Sequence, residues 1–89
     1  MFISVFCDLS SDNLEEVSLL LSQYGFSEIM KNLYECSSID EAGLSRLKLD
    51  LDRNTDSYDQ IRIYQYPMDN TLVISAMEKK KWRKIKVVL

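Results

Sequence analysis

The chain contains no histidine, and its two cysteines are widely separated in the sequence. Without histidine, the chain cannot use an imidazole base, a Ser/His/Asp triad or a histidine-containing zinc site. Cys7 and Cys36 form no CxxC pair, and two thiolates do not complete the four-ligand set of structural zinc. We predict that both cysteines are small, buried side chains in strands, with a redox role as the alternative.

Glycine and long uncharged runs are also scarce. Two glycines are too few for a glycine-rich phosphate loop. The longest uncharged stretch, Val17–Ser27, has eleven residues, whereas a helix that crosses a bilayer needs about 20. The apolar start Met1–Cys7 has no basic lead and is followed by Asp8, so it does not resemble a secretion signal. We therefore expect a cytoplasmic protein without a membrane segment.

The charge of the chain is divided unevenly along its length. The formal net charge of −3 combines +6 in residues 79–89, which contain no acid, with −9 in residues 1–78. We call residues 79–89 the basic segment and expect it to be a C-terminal tail. Its charge attracts phosphate groups or an acidic protein surface, and Trp82 could stack on a base or fill a pocket of a partner. The alternative is a solvated terminus that rests on the acidic body.

Two segments have the apolar spacing of amphipathic helices. The first begins at a predicted capping box of Asp12 and Glu15 and ends at Gly25. Its apolar positions are Leu14, Val17, Leu20, Leu21 and Tyr24. The second begins at a predicted capping box of Ser38 and Glu41 and ends in the polar stretch after it. Its apolar positions are Ala42, Leu44, Leu47 and Leu51.

Three segments have the composition of strands. Phe2–Cys7 is a run of β-forming residues, which is typical of a strand buried on both faces and hence central in a sheet. Phe26–Cys36 is long for one strand, so we divide it at Lys31-Asn32 into two strands joined by a tight turn. A single bent strand is the alternative there. Gln60–Tyr66 alternates between apolar and polar residues and is also predicted to be a strand.

The order of these elements predicts an α+β domain over residues 1–78. Strand, helix, two strands, helix and strand is the split βαβ order of ferredoxin-like folds (βαββαβ), with both helices on one face of the sheet. Thr71–Met77 then forms one additional C-terminal strand. The other face of the sheet needs a cover, and the additional strand exceeds what one split βαβ unit needs. We therefore predict a two-fold homodimer in which strand 71–77 completes the sheet of the partner.

Asp8 is the first acid of the chain and follows the predicted first strand. Side chains at the end of a central strand lie at a loop rim, where sites form. A carboxylate there could bind Mg²⁺, and a two-fold dimer would supply a second copy of Asp8. The alternative is that Asp8 only caps the loop before the first helix.

A second group of acids suggests a calcium loop: Asp50, Asp52, Asn54, Asp56 and Asp59. The spacing excludes an EF-hand, because Thr55 stands where the loop needs glycine and Ile61 stands where it needs the bidentate glutamate. We predict a solvated acidic turn instead.

Four short motifs together resemble the CRISPR-associated protein two family over residues 1 to about 77. The order and spacing of the motifs, more than any single one, carry the resemblance. They are the apolar N-terminal strand that ends at Asp8, Tyr24-Gly25-Phe26, Asn32-Leu33-Tyr34-Glu35, and Ile61-Arg62-Ile63-Tyr64 before the final strand.

The resemblance implies a ferredoxin-like homodimer that takes part in spacer acquisition. The dimer would bridge two dimers of the CRISPR integrase subunit and hold the duplex DNA to be inserted. The resemblance also implies a weak Mg²⁺-dependent endonuclease on RNA or double-stranded DNA, with Asp8 as catalytic residue and metal ligand. Two other interpretations stay open: a virulence-associated ribonuclease toxin of related fold, and a dimeric interaction module without catalysis.

The chain departs from this family after the first helix. Glu28, Met30 and Asn32 stand where members commonly carry Arg, Gln and Ser. Glutamate in place of arginine removes a phosphate contact, so we expect phosphate binding at the basic segment and at isolated cations, which are Arg46, Lys48, Arg53 and Arg62. The predicted nucleic-acid or partner contacts of the basic segment are Lys79, Lys80, Lys81, Trp82, Arg83, Lys84 and Lys86.

Overall fold

The computed structural model describes residues 1–67 and 69–89, which form two helices and six strands. Along the chain these are β1 (Phe2–Asp8), α1 (Ser11–Gln23), β2 (Ser27–Met30), β3 (Leu33–Cys36), α2 (Glu41–Arg53), β4 (Gln60–Tyr66), β5 (Thr71–Glu78) and β6 (Lys81–Val88). The predicted division at Lys31-Asn32 is confirmed, and Asn32 has a positive φ of 68°, as a tight turn requires.

The strands form one antiparallel sheet in the order β2-β3-β1-β4-β5-β6. The two helices and the order of the first four strands are compatible with the predicted ferredoxin-like arrangement. β5 pairs with β4 of its own chain, residue Ile61 opposite Met77. A swapped dimer would exchange this pairing for the same pairing with the partner, so the crossing of strand 71–77 stays a prediction.

Both helices pack on the same face of the sheet because their apolar stripes meet one set of alternating strand residues. The helices contribute Val17, Leu21, Leu44, Leu47 and Leu51 to the core, and the sheet contributes Ile3, Val5, Ile61, Ile63 and Met77. Cys7 and Cys36 lie in the same core as free, buried thiols in strands, as predicted. Burial, and secondarily Glu28, raises the pKa of the Cys7 thiol to about 12, so this thiol stays protonated and poorly nucleophilic at neutral pH.

β1 lies in the interior of the sheet, between β3 and β4, as its composition predicts. Its core-facing side chains Ile3, Val5 and Cys7 alternate with side chains that point away from the helices, and of the latter Ser4 is also buried. Phe2 and Phe6 belong to the second set and are 40% and 44% exposed. The prediction that this strand is buried on both faces is therefore wrong at these two positions in the single chain.

Both helices begin at residues other than the predicted capping boxes. α1 has Ser10 as its N-cap, not Asp12, and the Ser10 side chain makes no capping hydrogen bond. α2 has Asp40 as its N-cap, not Ser38, and the Asp40 carboxylate accepts a hydrogen bond of 2.7 Å from the backbone N–H of Gly43. The predicted end of α1 is confirmed, since Gly25 follows the helix with φ 92°.

The basic segment is not a tail, because residues 81–88 form the outer strand β6. Lys79 and Lys80 make the turn from β5 and both have positive φ, 52° and 63°, a conformation that is uncommon for residues other than glycine. The Lys80 ammonium donates hydrogen bonds to the backbone carbonyl oxygens of Asp52, in the last turn of α2, and Thr55, just after it. These hydrogen bonds offset the cost of the unusual backbone conformation. The hairpin is thus attached to the helix layer.

We expect Lys80→Ala to lower the free energy of unfolding by about 1 kcal/mol, because these carbonyl oxygens lose a charged donor. Lys79→Ala is the matched control, since Lys79 has the same charge and a similar backbone conformation and makes no hydrogen bond to the described residues. Urea denaturation of both variants measures the difference. Equal losses would show that the turn is not held by the Lys80 contact.

Candidate nucleic-acid and metal site

The sheet face opposite the helices carries a row of aromatic and aliphatic side chains, and we call it the open face. The Phe2 and Tyr66 rings lie 5.4 Å apart, as do the Phe6 and Tyr64 rings. Tyr66 is 42% exposed, similar to the two phenylalanines. By strand alternation the same face includes Leu72, Ile85 and Val87, and also Ile74, which is already buried in the single chain. Such a contiguous apolar surface is typical of an interface with another chain.

Asp8 is the last residue of β1 and lies at the rim of the open face. It is exposed, pairs across the sheet with Gln60, and points to the same side as Phe6, two residues earlier. These residues and Arg62 line a shallow groove of about 200 Å³. The lining of this groove therefore includes one carboxylate and one guanidinium at the predicted position.

A single chain provides only part of a metal site at Asp8. Within residues 1–67 and 69–89, no three histidine, cysteine or acidic side chains form a group that could hold a metal ion. The next acid in the same row of the sheet is Glu78, with Gln60 between them, and a separation of two strands is about 10 Å. Mg²⁺ binds at about 2.1 Å and often takes one or two carboxylates plus water. Asp8 therefore fits Mg²⁺ in residue type, and a second carboxylate would have to come from another chain.

The loop that follows Asp8 is held by Asp59, which is fully buried. Asp59 accepts hydrogen bonds from the backbone N–H of Ser10 at 2.8 Å and from the Asn13 amide at 2.6 Å. The backbone N–H of Asp56 donates a third, at 2.8 Å. Burial raises the pKa of the Asp59 carboxyl, but these hydrogen bonds outweigh it and hold the pKa below its ordinary value. Asp59 therefore joins the start of α1 to the start of β4.

The acidic stretch around Asp59 is not the solvated turn that the sequence predicts. Asp50 accepts a 2.6 Å hydrogen bond from the Tyr24 hydroxyl, and Asp52 pairs with Lys80 at 3.6 Å. Asp56 is exposed but accepts from the Asn13 amide at 2.9 Å. These acids therefore link different helices, strands and loops through hydrogen bonds and an ion pair. Local sequence does not predict these contacts, because the partners lie 26 to 49 positions away.

The predicted contacts of the basic segment separate into two sets on opposite sides of β6. Lys81 and Arg83 lie on the open face, and Arg62 lies on the same face with Ala76 between it and Arg83. Lys84 and Lys86 lie with Trp82 on the side that faces the helices. Lys79 and Lys80 form the turn. The structure therefore does not bring these residues together in one patch.

Trp82 is half-buried, packs against the hydrophobic core and lines a groove with Lys48, Asp52 and Lys80, so stacking of its ring on a base stays a prediction. Lys48 of α2 lies over this ring, with Nζ 6.0 Å from the ring centroid. Burial, and then the nearby charge of Lys84, lowers the pKa of Lys48. The sequence identifies Lys48 only as an isolated cation. Its approach to β6 is a contact that sequence reasoning missed.

Comparisons with known proteins do not assign the chain to a family. The sequence matches no protein-family model and no curated protein. In the part of the chain that the structure describes, neither helix has the length and apolar character needed to span a membrane. Function must therefore be inferred from the open face, Asp8 and the two sides of β6.

Proposed function

We propose that this chain is the homodimeric subunit of a CRISPR spacer-acquisition complex. The dimer would bridge dimers of the integrase subunit and hold the duplex that is inserted. The observation that carries the proposal is the open face, an apolar sheet surface on an α+β chain whose strand order is compatible with the ferredoxin-like arrangement. The sequence motifs that resemble the CRISPR-associated protein two family add support from an independent direction.

A two-fold dimer through the open face would satisfy three features of the chain. Chains of this length bury a smaller fraction of their unfolded surface than larger domains do, about 60 to 65%, so covering exposed aromatics adds stability. A molecule that measures 38 × 24 × 24 Å has faces large enough for the roughly 800 Å² per partner of a stable interface. The two copies of Asp8, each at the rim of its open face, would then lie at the accessible edge of the same interface, where each could complete the other's metal site.

Asp8 would hold Mg²⁺ in this dimer, and Arg62 would face the phosphate beside it. When bound, Mg²⁺ supplies positive charge to the phosphate oxygens and activates a water for attack. The chain contributes no histidine to move the proton of that water. With one carboxylate per chain, we expect the endonuclease activity on RNA or duplex DNA to be weak.

A dimeric scaffold without catalysis is the second candidate. The lone, exposed carboxylate of Asp8 favours it, because a catalytic two-metal site normally needs several fixed ligands. The bridging role does not depend on cleavage, so the scaffold and the weak nuclease differ only at Asp8.

We expect the wild-type chain to be a dimer at low micromolar concentration and Tyr66→Glu to be a monomer, because the neighbours of Tyr66 on the open face, Phe2 and Tyr64, are uncharged and a buried carboxylate there has no partner. Leu19→Glu is the matched control, since Leu19 is a similarly exposed apolar residue on α1, at 56%. Light scattering measures both variants. A monomeric wild type, or dissociation by Leu19→Glu alone, contradicts the proposed interface.

The bridging role makes a separate prediction about the integrase subunit. We expect the wild-type dimer to retain a CRISPR integrase subunit in a pulldown, and Tyr66→Glu to lose it, because bridging needs two copies of the chain. If the chain cuts RNA and retains no integrase, the ribonuclease toxin is the better assignment. An adjacent integrase gene and repeat array would agree with spacer acquisition.

A further inference from the structure

The side of β6 that faces the helices carries three neighbouring aromatic and basic residues, Trp82, Lys84 and Lys86. Their cross-strand partners in β5 are Met77, Ser75 and Val73. Met77 lies in the hydrophobic core, which places this side of β6 against the helix layer. The strand partners of the two lysines are uncharged, so neither ammonium is neutralised within the sheet.

Lys48 brings a third ammonium to this side of β6. It lies over the Trp82 ring, close enough to Lys84 for repulsion between the two charges to disfavour the ammonium form of Lys48. Glu41 opposes this repulsion only as the weakest influence on Lys48. Asp52, the acid that lines the same groove, is paired with Lys80. Within residues 1–67 and 69–89, Lys48, Lys84 and Lys86 form no salt bridge, and like charges gathered in this way are a favourable place for a polyanion.

The cations on the open face have a different environment. Lys81 stands directly opposite Glu78 in the sheet, so an acid already accompanies it. Arg83 lies on the face that the proposed dimer would cover. All four of these cations are exposed in the single chain, so Glu78 beside Lys81 and the proposed dimer contact over Arg83 are what make Lys81 and Arg83 less available to a long ligand than Lys84 and Lys86.

We propose that Lys48, Lys84 and Lys86, arranged around Trp82, bind the phosphodiester backbone of duplex nucleic acid, so that the duplex contacts the helix side of β6 and not its open face. This inference rests on the proposed function and names the surface that holds the duplex. The ligand chemistry is backbone phosphate, which is read by charge and not by base sequence. The Trp82 ring holds Lys48 in place by a cation–π contact.

Two double variants with the same loss of charge test the assignment. Lys84→Gln/Lys86→Gln removes two cations from the helix side, and Lys81→Gln/Arg83→Gln removes two from the open face of the same strand. We expect the first to weaken binding of a 30-base-pair duplex about 10-fold and to lower the salt slope by about 2, because each lost phosphate contact lowers the slope by about 0.9. We expect the second to weaken binding less than about 2-fold.

Trp82 gives a second measurement because it is the only tryptophan of the chain. We expect the duplex to change its fluorescence in the wild type and in Lys81→Gln/Arg83→Gln, and Lys48→Gln to weaken binding about 3-fold or more. Far-ultraviolet circular dichroism of every variant verifies folding. Equal losses in the two double variants, or a larger loss on the open face, would overturn the assignment, as would polyglutamate that binds as tightly as the duplex.

The failure of this surface can be distinguished from the failure of the proposed function. Light scattering and integrase pulldown on the same variants report the dimer and its bridging role without any duplex. If the dimer retains the integrase but the two double variants bind the duplex equally well, only the assignment of the duplex to the helix side of β6 is overturned. If Lys84→Gln/Lys86→Gln weakens duplex binding but the wild-type chain retains no integrase, the duplex-binding surface is supported and the bridging role is overturned.

Discussion

Asp59→Ala is expected to lower the free energy of unfolding by about 3 kcal/mol, the largest stability loss we anticipate from one side chain that lies outside the hydrophobic core. The substitution leaves two buried donors without their acceptor, the backbone N–H groups of Ser10 and Asp56, and leaves the Asn13 amide with Asp56 as its remaining acceptor. A buried donor without a partner costs about 1 to 3 kcal/mol. Urea denaturation followed by Trp82 fluorescence measures the loss.

Asp56→Ala is the control for this prediction. Asp56 is in the same loop and also accepts from Asn13, but its side chain is exposed, so water replaces the lost contact. We expect a loss below about 1 kcal/mol. Similar losses in the two variants would mean that the burial of Asp59 does not matter to the fold.

The effect of Asp59 should depend on pH in one direction. Hydrogen bonds hold the pKa of its carboxyl in the folded chain below its ordinary value, despite the opposing effect of burial. The stability that the carboxylate contributes is therefore present above the unfolded pKa of about 3.9 and is lost as the pH falls through the folded pKa. We expect wild type and Asp59→Ala to converge in stability below about pH 4. A gap that widens in acid would contradict this sign.

Asp8→Asn is expected to reduce Mg²⁺-dependent cleavage at least about 100-fold while leaving the dimer intact. A neutral amide is a poor ligand for a hard cation, and Asp8 is exposed at the rim of the sheet, so its replacement should not disturb the core. Cleavage of RNA and of duplex DNA with and without chelator measures the effect. The rate should rise with pH, because the attacking water must lose a proton and the chain has no histidine to accept it.

Glu78→Gln is the control at the other carboxylate of the same row, and we expect it to retain activity. Equal cleavage by wild type and Asp8→Asn would mean that the cutting comes from a contaminant or another site. A wild-type protein that cuts nothing across a Mg²⁺ and pH series would leave the scaffold as the better assignment.

The boundaries of helices and strands can be predicted from the sequence where a single residue is suited to a particular backbone conformation. Gly25 ends α1, and Asn32 makes the turn between β2 and β3, because both adopt positive φ. The position of Asp8 at the end of an interior strand follows from the apolar run before it. These features depend on neighbours in sequence, which the sequence displays directly.

The features that sequence reasoning missed depend on distant contacts. Ser10 precedes two other possible caps, and its N–H is bound by Asp59, 49 positions away. β6 was missed because its turn has two lysines where asparagine and glycine are usual, and Lys80 reaches residues 25 and 28 positions away. The two sides of the basic segment could not be separated without knowing that it is a strand.

The composition of the outermost strands bears on how copies of this chain can meet. An outer strand has backbone N–H and C=O groups that can recruit further strands and seed fibres. At one edge, β2 is a poor template for a further strand because it has only four residues and an irregular register to β3. At the other edge, β6 is protected by its charged residues, which are Lys81, Arg83, Lys84 and Lys86. Two β6 strands that approach each other would repel, especially at low ionic strength. Edge-to-edge polymerisation is thus opposed at both ends of the sheet, which leaves closed, face-to-face pairing as the favourable way for copies to associate.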